Sequence, residues 1–165
     1  MVEPTFFQSP IGTLSILSIK EGIVKITFEN ESRAKMDQWC KNNLDMGIIV
    51  GTDITSQAKD QILNYLHGRR KSLDFPVVHI NSSFRKKVLE KERKIPYGQT
   101  RSYGEVAKMV NKRRASRAVG SANAENPLPL YFPCHRIICS DGNLGGFGWG
   151  LKVKHFLLDL ESRHY

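Results

Sequence analysis

The sequence of 165 residues has no long hydrophobic run. A membrane-spanning helix needs about 20 consecutive apolar residues, and no segment of the chain approaches that length, so we expect no transmembrane segment. The N-terminus also lacks the basic stretch, apolar core and small-residue cleavage site of a secretory signal peptide. These absences favour a cytoplasmic protein, or a nuclear one if the source cell is eukaryotic.

Cysteine is scarce, with only Cys40, Cys134 and Cys139. An odd number of cysteines gives no disulfide framework, which fits a reducing compartment. The sequence contains no CxxC pair, and none of the five histidines stands at ligand spacing from a cysteine. We therefore predict no metal site.

Acidic residues are few in one segment of the chain. Residues 81–117 contain twelve Lys and Arg and three Asp and Glu, whereas the rest has thirteen of each sign. The net charge of +9 therefore falls entirely on this segment. A localised basic surface is typical of proteins that bind a polyanion, above all nucleic acid. A solvated basic helix face has the same composition, so charge alone leaves both interpretations open.

The first half of the chain reads as a small α/β unit. The predicted elements are two strands, 13–19 and 23–28, and two helices, 32–43 and 56–67. Ser32 is the expected cap of the first helix, and Thr55 or Ser56 the cap of the second, which Gly68 would end. Pro76 marks a plausible boundary.

The second half reads as mainly helical. The predicted helices begin at Ser82 or Ser83 and run to Arg93, then occupy 102–110, 116–124 and 151–161. Ser102 and Glu105 match the S-x-x-E capping box. The two short helices, joined by the basic turn NKRR, predict a helix-turn-helix. Any two packed short helices would give a similar pattern.

The helix predicted at 116–124 is unusually poor in large side chains. Small residues cluster here at Ala115, Ser116, Ala118, Gly120, Ser121, Ala122 and Ala124. In a basic segment such a surface could approach a DNA backbone or minor groove closely. Tight packing against a neighbouring helix explains the same composition equally well.

The stretch LYFPCHRII places the thiol of Cys134 in an apolar run that reads as buried and extended. A buried thiol is usually inert and packs as a small hydrophobe. Two features favour a nucleophile instead. His135 and Arg136 follow at once, and either cation could lower the thiol pKa. Glu161 offers a carboxylate that could orient His135.

Four motifs in order, IPYGQTRSYGEVA, SRAVGSANAENPLP, FPCHRII and LGGFGWGLKVKHFLLDLE, resemble those of the O6-alkylguanine-DNA alkyltransferases. The likeness runs from Phe84 to Glu161, and the first 75 residues match in pattern only. It implies an α+β protein. An N-terminal ribonuclease-H-like α/β domain would occupy 1–78. A mainly helical C-terminal domain at 79–165 would hold a DNA-binding helix-turn-helix of winged-helix-like form.

The resemblance also implies the chemistry. Cys134 would accept the alkyl group from the O6 atom of guanine in DNA and keep it permanently. His135 would take the thiol proton through a water, Glu161 would hold His135, and Asn126 would support this network. No cofactor is implied, and one transfer would consume the protein, which is expected to act as a monomer.

The same resemblance implies how DNA is held. The protein would bind the minor groove of duplex DNA largely independently of sequence and flip the damaged nucleotide. Arg117 would replace the flipped base, and Tyr103 would sit near the rotating phosphate. The implied DNA-binding residues are Ser102, Tyr103, Ala115, Arg117, Ala118, Gly120 and Ser121. Those implied for the alkylguanine pocket are Tyr103, Pro129, Phe147, Gly148 and Trp149.

Two positions depart from the family pattern. Phe147 stands where the family commonly has a tyrosine, whose phenol is thought to donate a hydrogen bond to the departing guanine. We therefore expect slower transfer than in a tyrosine-bearing relative. Trp149 stands where glycine is common, and an indole there is expected to narrow the pocket and exclude bulky alkyl groups. Core packing is the alternative explanation for both rings.

Three other functions compete with alkyl transfer. A lesion-binding relative without transfer activity normally lacks the cysteine, which is present here as Cys134. A helix-turn-helix transcription regulator needs side chains that read base edges, and the alanine-rich helix offers few. A cysteine hydrolase needs an oxyanion hole, for which these residues give no argument.

Overall fold

The computed structural model describes residues 3–44, 48–49, 53–80 and 82–164. The chain divides into two compact units, Met1–Ile80 and Asn81–Tyr165. It is an α+β protein, with a sheet in the first unit and a mainly helical second unit. None of the helices in the described ranges has the length and apolar character needed to span a bilayer.

The sheet of the first unit is an antiparallel meander. Its strands are β1 (Thr5–Ser9), β2 (Gly12–Ile19) and β3 (Gly22–Phe28), and the short β4 (Ile48–Ile49) pairs with the end of β2. Gly22 is required by a close approach, because a Cβ there would lie 2.8 Å from the Pro76 carbonyl oxygen. That carbonyl accepts a hydrogen bond from the Ile23 amide at 2.9 Å. The chain after the second helix is thereby attached to β3.

Two helices complete the part of this unit that the structure describes. Helix α1 (Arg33–Asn43) is capped as predicted by Ser32, whose side chain accepts from the Lys35 amide. It packs Met36 and Cys40 against the sheet. Helix α2 (Asp53–Leu66) begins two residues before the expected cap. That prediction is wrong because the Thr55 hydroxyl is buried and bonds Ser18 of β2 at 2.9 Å, so it is not available as a cap.

The described residues of the second unit, 82–164, form four helices and a two-stranded parallel sheet. The helices are α3 (Ser83–Arg93), α4 (Tyr103–Met109), α5 (Ser116–Ala124) and α6 (Leu151–Arg163), and the strands are β5 (Arg101–Ser102) and β6 (Ile137–Ile138). Ser82 caps α3, and both hydrogen bonds of the predicted Ser102–Glu105 capping box are present. Val88, Val106 and Val119 pack together with Ile137 in one core, which joins α3, α4 and α5 to β6.

The stretch around Cys134 is more sharply folded than its apolar composition predicts. Residues Cys134–Arg136 form a 3-10 turn, and only Ile137–Ile138 continue as a strand. The Arg136 amide donates to the Pro133 carbonyl at 2.9 Å, and Leu130 has a φ of 75°. The prediction of a continuous extended segment is therefore wrong. Pairing of β6 with β5 sets this turn beside the start of α4, which positions the site.

Candidate active site

Cys134 lies in the wall of a cavity of about 400 Å³. The thiol-bearing residue is only 5% exposed, yet the cavity reaches it. Two helices, the 3-10 turn and one loop contribute to the lining, which consists of Tyr103, Gly120, Asn123, Ala124, Cys134, Gly146, Phe147 and Gly148. Of the residues implied for the alkylguanine pocket, Tyr103, Phe147 and Gly148 therefore come together around the thiol.

The next residue, His135, is fully buried against α6. Its Nε2 lies 3.0 Å from Oε1 of Glu161, which is also buried. Burial lowers the pKa of His135, and the Glu161 carboxylate opposes this only in part. The ring is therefore neutral near pH 7. Since the carboxylate accepts, Nε2 carries the hydrogen and Nδ1 has the lone pair that can take a proton.

Arg136 completes the cluster by binding the same carboxylate. Its Nη2 donates to Glu161 Oε1 at 2.6 Å, and its Nη1 donates to the Ile95 carbonyl at 2.8 Å. Burial alone would raise the pKa of Glu161, but the hydrogen bonds from His135 and Arg136 and the charge of Arg136 outweigh it, and the pKa falls to about 2. Glu161 is thus ionised at any physiological pH, and Arg136 braces the unit internally.

The thiol itself is not acidified by its sequence neighbours. Burial, followed by the charge of Glu92, raises the pKa of Cys134 to about 12, whereas Asn126 and Lys154 act in the opposite direction. The expectation that His135 or Arg136 lowers this pKa is therefore wrong. His135 is neutral, and Arg136 is engaged by Glu161. The thiol needs a base to ionise.

Asn126 holds the backbone that leads to Cys134. Its Nδ2 donates to the Phe132 carbonyl at 3.0 Å, and its Oδ1 accepts from the Leu128 amide at 2.9 Å. Pro129 is buried inside this loop and forms a backbone bridge with Phe132. Pro129 is not among the residues that line the cavity around the thiol.

Trp149 is also placed differently from the other implied pocket residues. It is 8% exposed and packs edge to face on Phe147, with 6.1 Å between ring centroids. The cavity is lined by Phe147 and not by the indole. Trp149 therefore affects the shape of the cavity indirectly, by packing against the Phe147 ring that lines it.

The small residues of α5 are divided between two faces. Arg117, Ala118 and Ser121 are exposed, whereas Val119 and Ala122 are buried in the core. Ala115 and Gly120 are half-buried, and Gly120 lines the cavity. The exposed face is smooth and borders the opening to Cys134. Packing against a neighbouring helix accounts for Val119 and Ala122 but leaves this outer face uncovered.

Tyr103 stands at the start of α4, directly after the cap Ser102. Burial raises the pKa of its phenol, as do the charges of Cys139, Cys134 and Glu92. A Cβ on Gly145 would lie 3.0 Å from the Tyr103 hydroxyl, so the glycine lets residues 144–150, the pocket loop, approach this ring.

Two further residues of the site were not assigned a clear role from the sequence. The buried Nζ of Lys154 donates to the carbonyls of Ile137 (2.6 Å), Gly146 (3.3 Å) and Leu144, which fastens the pocket loop to β6. Glu92 is fully buried on α3. Its position one turn after Val88, on the apolar stripe, is the signal that could have revealed it. Among the described residues, no three His, Cys, Asp or Glu side chains gather as metal ligands.

Two family models cover almost the entire chain. The 6-O-methylguanine DNA methyltransferase ribonuclease-like domain matches residues 3–78, and the DNA binding domain of the same family matches residues 83–163. A methylated-DNA–protein-cysteine methyltransferase of Methanosarcina acetivorans is 37% identical over 158 residues, covering 94% of this chain and 96% of the relative. One from Mycobacterium bovis is 42% identical over 163 residues, covering 98% and 93%.

Solved structures show the same similarity. The Mycobacterium tuberculosis O6-methylguanine methyltransferase superposes with a TM-score of 0.85 at 32% identity, covering 100% of this chain and 95% of that one. The M. tuberculosis OGT crystallised in complex with DNA gives a TM-score of 0.83 at 31% identity, covering 96% and 92%. The match spans both units of the chain. This chain belongs to the 6-O-methylguanine DNA methyltransferase family.

Proposed function

We propose that this protein repairs DNA as a methylated-DNA–protein-cysteine methyltransferase. It transfers the alkyl group from O6 of guanine to Sγ of Cys134 and is consumed by one turnover. One observation carries this proposal: the thiol of Cys134 lines a cavity, and the next residue, His135, forms a buried hydrogen-bonded pair with Glu161. A general base beside a nucleophile, itself held by a third group, is the arrangement that activates a weak nucleophile.

The transfer is a displacement at saturated carbon. The thiol proton passes to Nδ1 of His135, through a water, and Sγ forms a bond to the alkyl carbon. The bond between that carbon and O6 breaks, its electron pair stays on O6, and the guanine then takes up one proton. Glu161 stabilises the imidazolium of His135, which exists between uptake of the thiol proton and protonation of the guanine. No described group is suited to cleaving the thioether, so the product remains on Cys134.

The base must leave the duplex to reach the thiol. An alkyl group inside a stacked helix is out of reach, and extrusion costs a few kcal/mol. We assign the smooth face of α5, with Ala118 and Ser121, to the minor groove, Arg117 to the space left by the base, and Tyr103 to the rotated phosphate. Contacts from the basic segment are made mainly to phosphates, so binding is largely independent of sequence. A monomer is sufficient for these contacts.

This assignment gives each half of the chain a role. Residues 79–165 form the domain for DNA binding and alkyl transfer, and residues 1–78 the ribonuclease-H-like domain. The reaction takes place where the DNA is, in the bacterial or archaeal cytoplasm or in a nucleus. Phe147 favours one alternative function, because a cavity with phenylalanine at this position, where the family commonly has tyrosine, is also suited to recognising alkylguanine without repairing it.

Intact-mass measurement tests the transfer directly. The protein is mixed with a duplex carrying one O6-methylguanine, beside the Cys134→Ser and Cys139→Ser variants. We expect one added methylene per chain in the wild type and in Cys139→Ser, and none in Cys134→Ser. No mass gain in the wild type, with lesion-selective binding retained, would overturn the proposal in favour of a recognition module.

A further inference from the structure

Glu92 is a fully buried carboxyl group that the proposed reaction does not use. It lies on α3, on the same face as the core residue Val88. Neither of its oxygens has a hydrogen-bond partner among the residues that the structure describes. A carboxylate charge in such a place is expensive, because burial removes its hydration and no hydrogen bond replaces it.

Groups on four other elements surround this carboxyl. Its charge acts on Cys134 in the 3-10 turn, on Tyr103 of α4 and on Lys154 of α6. Asn123 of α5 presents its amide to the carboxyl without the geometry of a hydrogen bond, and Asn123 also lines the cavity. Glu92 is therefore coupled to the thiol and stands behind the wall of the same cavity.

Lys154 does not neutralise Glu92. Its ammonium group is committed to three backbone carbonyls. Burial raises the pKa of Glu92 to about 8, and Asn123 and Lys154 counteract this only in part. Near neutral pH most molecules consequently hold Glu92 as the uncharged acid, and the carboxylate form appears as the solution becomes alkaline.

We propose that Glu92 is a positioning residue for alkyl transfer: as the neutral acid it leaves Cys134 able to ionise, and as the carboxylate it holds the thiol protonated. This inference rests on the proposed function of Cys134. The other charges near the thiol do not reproduce the effect. Lys154 favours the thiolate, Arg136 is engaged by Glu161, and His135 is neutral. Glu92 is the carboxyl whose charge opposes thiolate formation.

The ratio of the methyl-transfer rates of a Glu92 variant and the wild type isolates the effect of the Glu92 charge on the thiol. Single-turnover methyl transfer from an O6-methylguanine duplex is measured from pH 6.5 to 9.5 for the wild type, Glu92→Gln and Glu92→Leu. We expect the ratio of variant to wild-type rate to rise by about tenfold, as a change of about one in the thiol pKa requires, with its midpoint near pH 8. A purely structural role of Glu92 would change the ratio equally at every pH.

A matched control and a second readout make the result decisive. Glu90→Gln makes the same chemical change at an exposed position of α3, and its ratio should stay at one. Alkylation of Cys134 by iodoacetamide, without DNA and resolved from Cys139 by peptide mass, should show the same rise in Glu92→Gln. Failure of methyl transfer in the wild type would count against the proposed function. A pH-independent iodoacetamide ratio would overturn the role of Glu92, whether or not methyl transfer occurs.

Discussion

At the scale of single residues, chemical neighbours differ from sequence neighbours. His135 and Arg136 adjoin Cys134 in the chain, but both direct their polar groups to Glu161, 26 and 25 residues away. The groups that stabilise the thiolate are Asn126 and Lys154. The buried pair His135–Glu161 supplies a base, and the raised thiol pKa makes that base necessary. With its pKa raised to about 12, the thiol is protonated near neutral pH.

Phe147→Tyr tests whether a hydrogen-bond donor at position 147 accelerates alkyl transfer. The ring already lines the cavity, so a hydroxyl on it can reach a bound base. We expect single-turnover methyl transfer to accelerate about tenfold or more, because one aimed donor for a developing oxyanion is worth a few kcal/mol. Phe6→Tyr, an exposed aromatic in the first unit, is the matched control and should leave the rate unchanged. An unchanged or lower rate in Phe147→Tyr would show that another donor already serves the leaving guanine.

At the scale of elements, the two faces of α5 differ: one packs in the core and the other is exposed. Its inner residues Val119 and Ala122 fill the core, and apart from Arg117 its outer residues, such as Ala118 and Ser121, have small side chains. An outer face of this kind contributes little to folding, so its composition is available for the contact with DNA that we propose. The connection to α4 is tight, with Asn111 in a left-handed conformation at a φ of 60°.

Ala118→Glu tests this face of α5. A carboxylate on the exposed surface should repel the phosphates and separate the two surfaces. We expect duplex affinity at low salt to fall at least tenfold, on the scale of one lost close charge contact (about 1.4 kcal/mol). Ala34→Glu, on an exposed position of α1, is the control for added charge. Fluorescence anisotropy with undamaged duplex gives the affinities. Equal affinity of Ala118→Glu and Ala34→Glu would exclude α5 from the interface.

At the scale of the whole molecule, two buried carboxyl groups act on stability with opposite signs. Glu161 has its pKa held at about 2, so its stabilising contribution is complete above about pH 4.5 and is lost as the pH falls toward 2. Glu92 has its pKa raised from 4.5 to about 8. Between these values the unfolded chain releases the proton that the folded chain keeps. The contribution of Glu92 to stability therefore falls as the pH rises from 4.5 to 8 and is constant above pH 8.

Urea unfolding of the full chain at pH 5 and pH 8 checks this sign. We expect the free energy of unfolding of the wild type to be lower at pH 8 by a few kcal/mol, the size that a shift of this extent implies. Glu92→Gln should remove most of that difference, and Glu90→Gln should retain it. A wild type equally stable at both pH values would mean that Glu92 reaches solvent or finds a partner when it ionises.

Local elements were predictable because their signals are local. Ser32, Ser82 and the pair Ser102–Glu105 cap helices where the sequence places them, since a cap depends on atoms three residues apart. The start of α2 was missed because Thr55 is recruited by Ser18, 37 residues away. The turn at Cys134 was missed because an apolar run indicates burial equally well for a strand and for a tight turn.

Periodicity, charge and spacing can be read along the chain, and they predicted most helix bounds, the basic segment and the motifs that identify the family. Tertiary structure alone decided the chemistry of the thiol. It brings together residues that are far apart in sequence: His135 and Arg136 bind Glu161, and Lys154 binds the Ile137 carbonyl. It also buries Glu92 where no described residue forms a hydrogen bond with its carboxyl group. Burial sets how strongly each charge is felt, and burial depends on which elements pack together.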